Sequence, residues 1–284
     1  MRFPICHSIV MYAVIQITMI HHLSVTIETH RTIRWNLLRG AVSLKMVLPK
    51  EHGTWMMFFL PYALGAVFSG PTLVHVPFLI GWFFLYLSAT PWLSQLRNAK
   101  LRKQMRPWAL TYTAIGLLFC VPVMLFYVEL LWLGFIIMLL FCVNIVFVLR
   151  KQERHLLNDL CGIAIFSFGA PAAFVIGTDD LTSDAILLWA VVTFYFSGTA
   201  FYVKSLIRER KNTSFHKTSH IYHGLMLLVP WLFGLGTLAL AFVPGTLKDW
   251  FTPRDKHIRP LTVGIIEICN AIVFFLLILW VSPF

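Results

Sequence analysis

From Trp55 onward the chain repeats one pattern: an apolar run near the roughly 20 residues a helix needs to cross a bilayer core, often ending in a basic cluster. Runs of this kind cover about 55–69, 73–92, 108–127, 130–149, 157–177, 185–203, 223–243 and 261–282. Backbone polar groups have no water to bond in lipid, so each run must satisfy them internally as a helix. Pro61, Pro122, Pro171 and Pro230 then mark kinks within runs rather than breaks. No hydrophilic domain interrupts the series. The pattern predicts an all-α fold, a polytopic transmembrane helical bundle of eight spans, with a ninth left open around 223–260. Hydrophobic residues make up 58% of the chain and charged ones 12%, about half the charged share of a soluble domain. A soluble enzyme and a nucleic-acid-binding domain are excluded.

The net charge of +11 follows the topology. Arg97, Lys100, Arg102, Lys103 and Arg106 follow the second run, Arg150, Lys151 and Arg154 the fourth, and Lys204, Arg208, Arg210, Lys211 and Lys217 the sixth. Connectors 69–74, 127–130 and 178–184 hold no Lys or Arg, so the contrast is thirteen against zero. The positive-inside rule then puts the even-numbered connectors and the start of the first run in the cytoplasm. With eight crossings, both the amino and the carboxy terminus lie on that side of the cell membrane. Lys248, Arg254, Lys256 and Arg259 break the alternation. Either 245–259 lies at the interface, with Trp250 and Phe251 as anchors, or 223–252 does not cross simply once.

Residues 1–45 lack the pattern. Their apolar stretch, 9–20, is short for a span and has no small-residue cleavage site after it. They read as a dispensable extension, with Met46 a second candidate start before a single membrane domain, 46–284. Cys6, Cys120, Cys142, Cys161 and Cys269 are odd in number, without a CxxC pair, and read as packed free thiols.

A few polar residues at membrane depth need a reason, because acidic groups there cost several kcal/mol unless a cavity or partner receives them. Glu267 lies within the last run, with Asn270 three residues on along one helix face. It is either a ligand or proton site or a buried acid paired with a base on a neighbouring helix. In RKQERHLLND, 150–159, a continuous helix would align Arg150, Arg154 and Asn158, and Asn158 and Asp159 then enter the fifth run. This is a polar mouth or a capped helix start. In YVKSLIRERK, 202–211, Lys204, Arg208 and Lys211 form a cationic stripe suited to an anionic headgroup or a lipid phosphate, or to plain topology. His216, His220 and His223 share the spacing i, i+4 and i+7, but no carboxylate or Cys accompanies them in sequence. No metal is expected there, and no cofactor elsewhere. Asn144 reads as an interhelical hydrogen-bond partner. In KEHGTW, 50–55, Glu51 and His52 offer an acid and a base at the membrane entry, beside the anchor Trp55.

PKEHGTW at 49–55, ERHLLNDL at 153–160, GTAFYVKSLIRER at 198–210 and GIIE at 264–267 together resemble the YwiC-like family of bacterial integral membrane proteins. The resemblance covers about 46–284 and leaves 1–45 outside. It implies a multi-pass membrane protein, brings no activity with it, and turns Glu51, His52, Asn158, Asp159, Arg208 and Glu267 towards function. A fainter likeness, over 49–66 and 163–192, is to the UbiA-type intramembrane prenyltransferases. That superfamily holds a prenyl diphosphate through Mg²⁺ on two aspartate-rich cytoplasmic motifs. Here the connector after the second run has no Asp or Glu, the one after the sixth offers Glu209, and Asp180 and Asp184 fall on the opposite face.

The expectation is a cytoplasm-facing polar site with Glu51, His52, Asp159 and Glu267 as candidate catalytic groups. Arg154, Asn158, Lys204 and Arg208 are its candidate ligands for an anionic lipid or isoprenoid phosphate. The alternatives are a UbiA-like transferase without the usual aspartates, and a transporter or accessory membrane protein.

Overall fold

The computed structural model describes residues 47, 53–254, 258–281 and 284. Glu51, His52 and the extension therefore lie outside the described residues. The described chain is helical, with no strand among those residues. Its helices are α1 (Gly53–Ser69), α2 (His75–Arg97), α3 (Arg102–Phe126), α4 (Glu129–Leu149), α5 (Leu156–Ser167), α6 (Gly169–Thr178), α7 (Ser183–Ile207), α8 (Thr213–Leu232), α9 (Ala239–Phe251) and α10 (Pro260–Val281). Among the described residues six helical stretches are long and apolar enough to cross a membrane: α2, α3 with its short lead-in, α4, α5 with α6, α7 and α10. α1, at 17 residues, is shorter. The expected eight spans thus reduce to six that qualify by length and composition.

Two departures have local causes. The fifth run is two abutting helices that meet at Phe168. Pro171 has no N–H to return to the carbonyl of Ser167, so the ladder lapses there. The expected run 223–243 is broken outright. α8 ends on a turn in which the Leu235 amide bonds the Pro230 carbonyl at 2.9 Å and the Gly234 amide that of Trp231 at 3.2 Å. Gly234 takes φ of 73°, a left-handed conformation that glycine adopts without steric penalty. The chain then reverses through a short 3-10 turn, Gly236–Leu238, into α9. Ser219 and His220 bond Asp249, and Thr246 bonds the His223 carbonyl, so the two helices run antiparallel. A single crossing at 223–243 is corrected to a hairpin. Its return brings Lys248 and Arg254 back to the end where α7 delivers Lys204 and Arg208.

The reversal also moves the carboxy terminus. α10 starts at the basic end and runs away from it, and the Phe284 ring stands 5.0 Å from that of Phe68, near the far end of α1. Within the bundle Phe284 thus lies at the end away from the basic clusters.

Small residues let the helices close on one another, the usual route in a membrane, where lipid tails are as apolar as the side chains. A Cβ on Gly65 of α1 would lie 2.2 Å from the Ala170 carbonyl oxygen of α6. α2 and α3 meet through Gly81 and Gly116 in the same way. Leu64, Leu188, Val192, Tyr195, Phe242 and Phe274 form the core around α7. Trp132, Phe135, Met138 and Leu139 of α4 face outward, as a lipid-exposed helix requires.

Candidate functional site

Charged side chains gather at the basic end in two clusters. The first lies between α5 and α7. α5 begins where the His155 ring accepts a hydrogen bond from the Leu157 amide, which puts Asp159 in the first turn, where the helix dipole favours a negative charge. On α7, Lys204 lies one turn before Arg208, so both reach the same carboxylate. Lys204 Nζ donates to Asp159 Oδ2 at 3.0 Å and to the Arg154 carbonyl at 2.7 Å. Arg208 stands 3.6 Å from the same oxygen. The Lys204 side chain is 8% exposed and that of Arg208 43%. Asn158 donates to the Glu153 carbonyl and accepts from Asn144 of α4 at 2.8 Å, so it pegs α5 to its neighbour. Asn144 is thus the interhelical partner its isolation in α4 predicted.

The aligned face expected for Arg150, Arg154 and Asn158 does not form. α4 stops at Leu149, Lys151 turns left-handed at φ 57°, and α5 restarts at Leu156. Arg154 enters the site through its backbone carbonyl. The stripe on α7 is shortened too, because the helix ends at Ile207 and Lys211 lies beyond it.

The second cluster joins the hairpin to α7 and α10. Glu267 pairs with Lys248, whose Nζ lies 4.2 Å above the ring centre of the buried Tyr202. The Arg254 guanidinium lies 5.0 Å from the same ring. Tyr202 also exchanges a hydrogen bond with Thr252 at 3.1 Å. Asp249, 0% exposed, accepts from Ser219 at 2.7 Å, from His220 at 2.6 Å and from Arg254. Asn270 does share the inward face with Glu267, and it donates to the Tyr195 hydroxyl at 2.7 Å. Nε and Nη1 of Arg254 and Oε2 of Glu267 are buried without a hydrogen-bond partner.

Five of the eight sequence candidates therefore meet: Arg154, Asn158, Asp159, Lys204 and Arg208. Glu267 belongs to the other cluster, and Glu51 and His52 lie outside the described residues. Lys248, Asp249 and Arg254 were not among the candidates. The broken charge alternation was the one signal that pointed to Lys248 and Arg254, and nothing in the sequence pointed to Asp249. Among the described residues no group of three or more His, Cys, Asp or Glu is placed to hold a metal. Asp180 and Asp184 flank the cap of α7 made by Thr182, at the end opposite the basic one.

Two surface concavities stand out among the described residues. One, of about 620 Å³, is lined by Ala99, Arg102, Lys103, Arg106, Pro107 and Leu110. The other, of about 240 Å³, lies against His220 and Trp250.

The fold is that of a polytopic α-helical membrane protein with a charged end. Residues 48–174 match the family model described as YwiC-like protein. The chain is 38% identical over 235 residues to the uncharacterized protein YwiC of Bacillus subtilis (strain 168), covering 81% of this chain and 96% of that one. It is 34% identical over 238 residues to an uncharacterized protein of Haemophilus influenzae, covering 83% and 98%. No solved structure matches the chain. The chain belongs to the YwiC-like family.

Proposed function

We propose that this is a multi-pass cell-membrane protein whose basic end faces the cytoplasm and binds the phosphate of an anionic lipid or an isoprenoid phosphate. One observation carries the reading: two cations converge on one carboxylate oxygen of Asp159. Lys204 is clamped and nearly buried; Arg208 is half exposed. One carboxylate cannot neutralise two cations, so the cluster keeps one positive charge at headgroup depth. Guanidinium groups bind phosphate well because their planar donors match its oxygens. In this reading Arg208 grips the phosphate, Lys204 and Asp159 hold Arg208 in place, and Arg154 and Asn158 set the loop. Glu51, His52 and Asp159 are its candidate acid–base groups, while Glu267, paired with Lys248 in the other cluster, stands apart from it.

Sidedness rests on charge. The three basic connectors and the returning Lys248 and Arg254 share one end, which the positive-inside rule assigns to the cytoplasm.

The test is lipid retention. Protein purified in nanodiscs of mixed phosphatidylglycerol and phosphatidylcholine, or incubated with farnesyl phosphate, is analysed by native mass spectrometry. Wild type is expected to retain the phosphate-bearing species selectively, and Arg208→Ala to lose that preference several-fold. Equal retention of anionic and zwitterionic lipid by wild type refutes the reading.

The buried Lys248–Glu267 pair favours a second reading, a transporter in which these charges re-pair during a conformational change. A UbiA-like transferase has less support, because Asp159 and Glu267 are each committed to a lysine and belong to different clusters.

A further inference from the structure

We propose that His220, oriented by the buried Asp249, is a hydrogen-bond-accepting site for a hydroxyl-bearing amphiphile at the membrane surface. The inference is independent of the phosphate site on α7 and goes beyond it.

A carboxylate can only accept, so in the 2.6 Å contact between His220 Nδ1 and Asp249 Oδ2 the proton sits on Nδ1. For the neutral imidazole this leaves the Nε2 lone pair free. Asp249 is itself held from other sides. Ser219 donates to Oδ1 at 2.7 Å, Arg254 donates to the same oxygen, and His223 Nδ1 lies 3.6 Å from Oδ2. The carboxylate has no freedom to turn, so the imidazole is oriented rather than merely paired. Trp250 fixes the backbone from outside, its indole N–H donating to the His220 carbonyl at 3.1 Å.

The imidazole is 37% exposed and borders the concavity of about 240 Å³ beside Trp250. The indole lies over α8 at Gly224, where a Cβ would stand 3.6 Å from the ring. The chemistry of this wall selects its occupant. Trp250 has spent its N–H on the His220 carbonyl and offers only an apolar face. The imidazole offers one acceptor. A molecule with a single O–H donor on an apolar body fits both, and the end of α9 lies at the basic rim of the bundle, where amphiphiles collect. The hydroxyl donates a hydrogen bond to Nε2. One imidazole nitrogen does not make a metal site, so a cation is not the occupant.

The test is site-resolved labelling with diethyl pyrocarbonate, which acylates an imidazole nitrogen bearing a free lone pair, on the full chain in nanodiscs. His216 is an internal reference, because its Nε2–H donates to the Glu209 carbonyl at 3.1 Å and leaves only the more hindered Nδ1, beside Cβ, to react. His220 is expected to label several-fold faster than His216. Asp249→Asn removes the tautomer lock and is expected to slow His220 at least tenfold, while His216 is unchanged. Thr246→Ala loosens the same hairpin through the Thr246–His223 bond without touching Asp249, and is expected to leave the His220 rate within twofold. Decanol in the nanodisc is expected to protect His220 several-fold, and decyl methyl ether, which lacks the donor, to give no protection. Labelling of His220 no faster than His216, or an Asp249→Asn effect matched by Thr246→Ala, overturns the oriented imidazole. Equal protection by alcohol and ether, or none by either, overturns the hydroxyl occupant.

Discussion

An acid on the inward face of α10 destabilises the bundle unless another side chain answers its charge, and Lys248 answers Glu267. Both side chains are nearly buried, at 11% and 7% exposure. Removing one member of such a pair strands the other charge, at a cost of about 3–5 kcal/mol, whereas replacing both by apolar groups of similar volume is close to neutral. Glu267→Gln is therefore expected to lower the thermal midpoint in detergent markedly, and the double variant Lys248→Met with Glu267→Leu to recover most of the loss. A single variant as stable as wild type, or a double variant no better than the single, would show that the pair carries no coupling. The same logic applies to Asp159→Asn, which leaves the buried Lys204 ammonium without its carboxylate countercharge. It should destabilise more than Arg208→Ala, whose side chain is in reach of water, as measured by unfolding midpoints of the two variants. That Glu267 needed a partner was legible from its place in an apolar run. Which partner was not, because Lys248 is 19 residues away across a break that no periodicity announces.

At the scale of the element, the turn after α8 decides more than any single contact. Gly234 sits at φ 73° with open space around its Cα. Gly234→Ala thus meets no clash, only the left-handed penalty of roughly 1–2 kcal/mol. Gly65→Ala is a different case, since the new methyl would meet the backbone of α6. It is expected to destabilise more than Gly234→Ala, with Gly162→Ala, where nothing lies near, as the control. Thermal midpoints of the three variants check the order, and Gly65→Ala ranking with the control would contradict the packing. Helix existence was readable from hydropathy except for α9, most of which lies beyond the run expected at 223–243. Helix continuity was not. Pro171 announced its kink in the sequence, but the breaks at Arg150–His155 and Phe233–Leu238 depend on left-handed residues, Lys151 and Gly234, that hydropathy does not register.

For the whole molecule, the hairpin puts Phe284 at the end of the bundle away from the basic clusters. With the basic end in the cytoplasm, a single cysteine replacing the exposed Arg259 is expected to react with a membrane-impermeant maleimide from the same side as one replacing Lys217. One replacing Thr72 should react from the other. Alkaline phosphatase fused after Phe284 is expected to be active, because it would lie outside the cytoplasm, and a green fluorescent protein fusion there to stay dark. The opposite pair of results would return α8 and α9 to a single crossing.

Hydropathy and charge by themselves determined that this chain is a helical membrane protein, which end carries its cations, and which few polar side chains stood at an energetic disadvantage. Both signals are local, because burial in lipid and the positive-inside rule act on each segment independently of its neighbours. Only the tertiary structure decided how those polar groups were answered. Asp159 drew together Lys204 and Arg208 from a helix 45 residues on, while Glu267 was separated from them and paired with Lys248. Asp249, silent in the sequence, became the centre of a network with Ser219, His220, His223 and Arg254. A low-dielectric interior makes each buried charge seek a partner. Which partner it finds is set by the packing of α7, α9 and α10, and packing is a property of the assembled bundle.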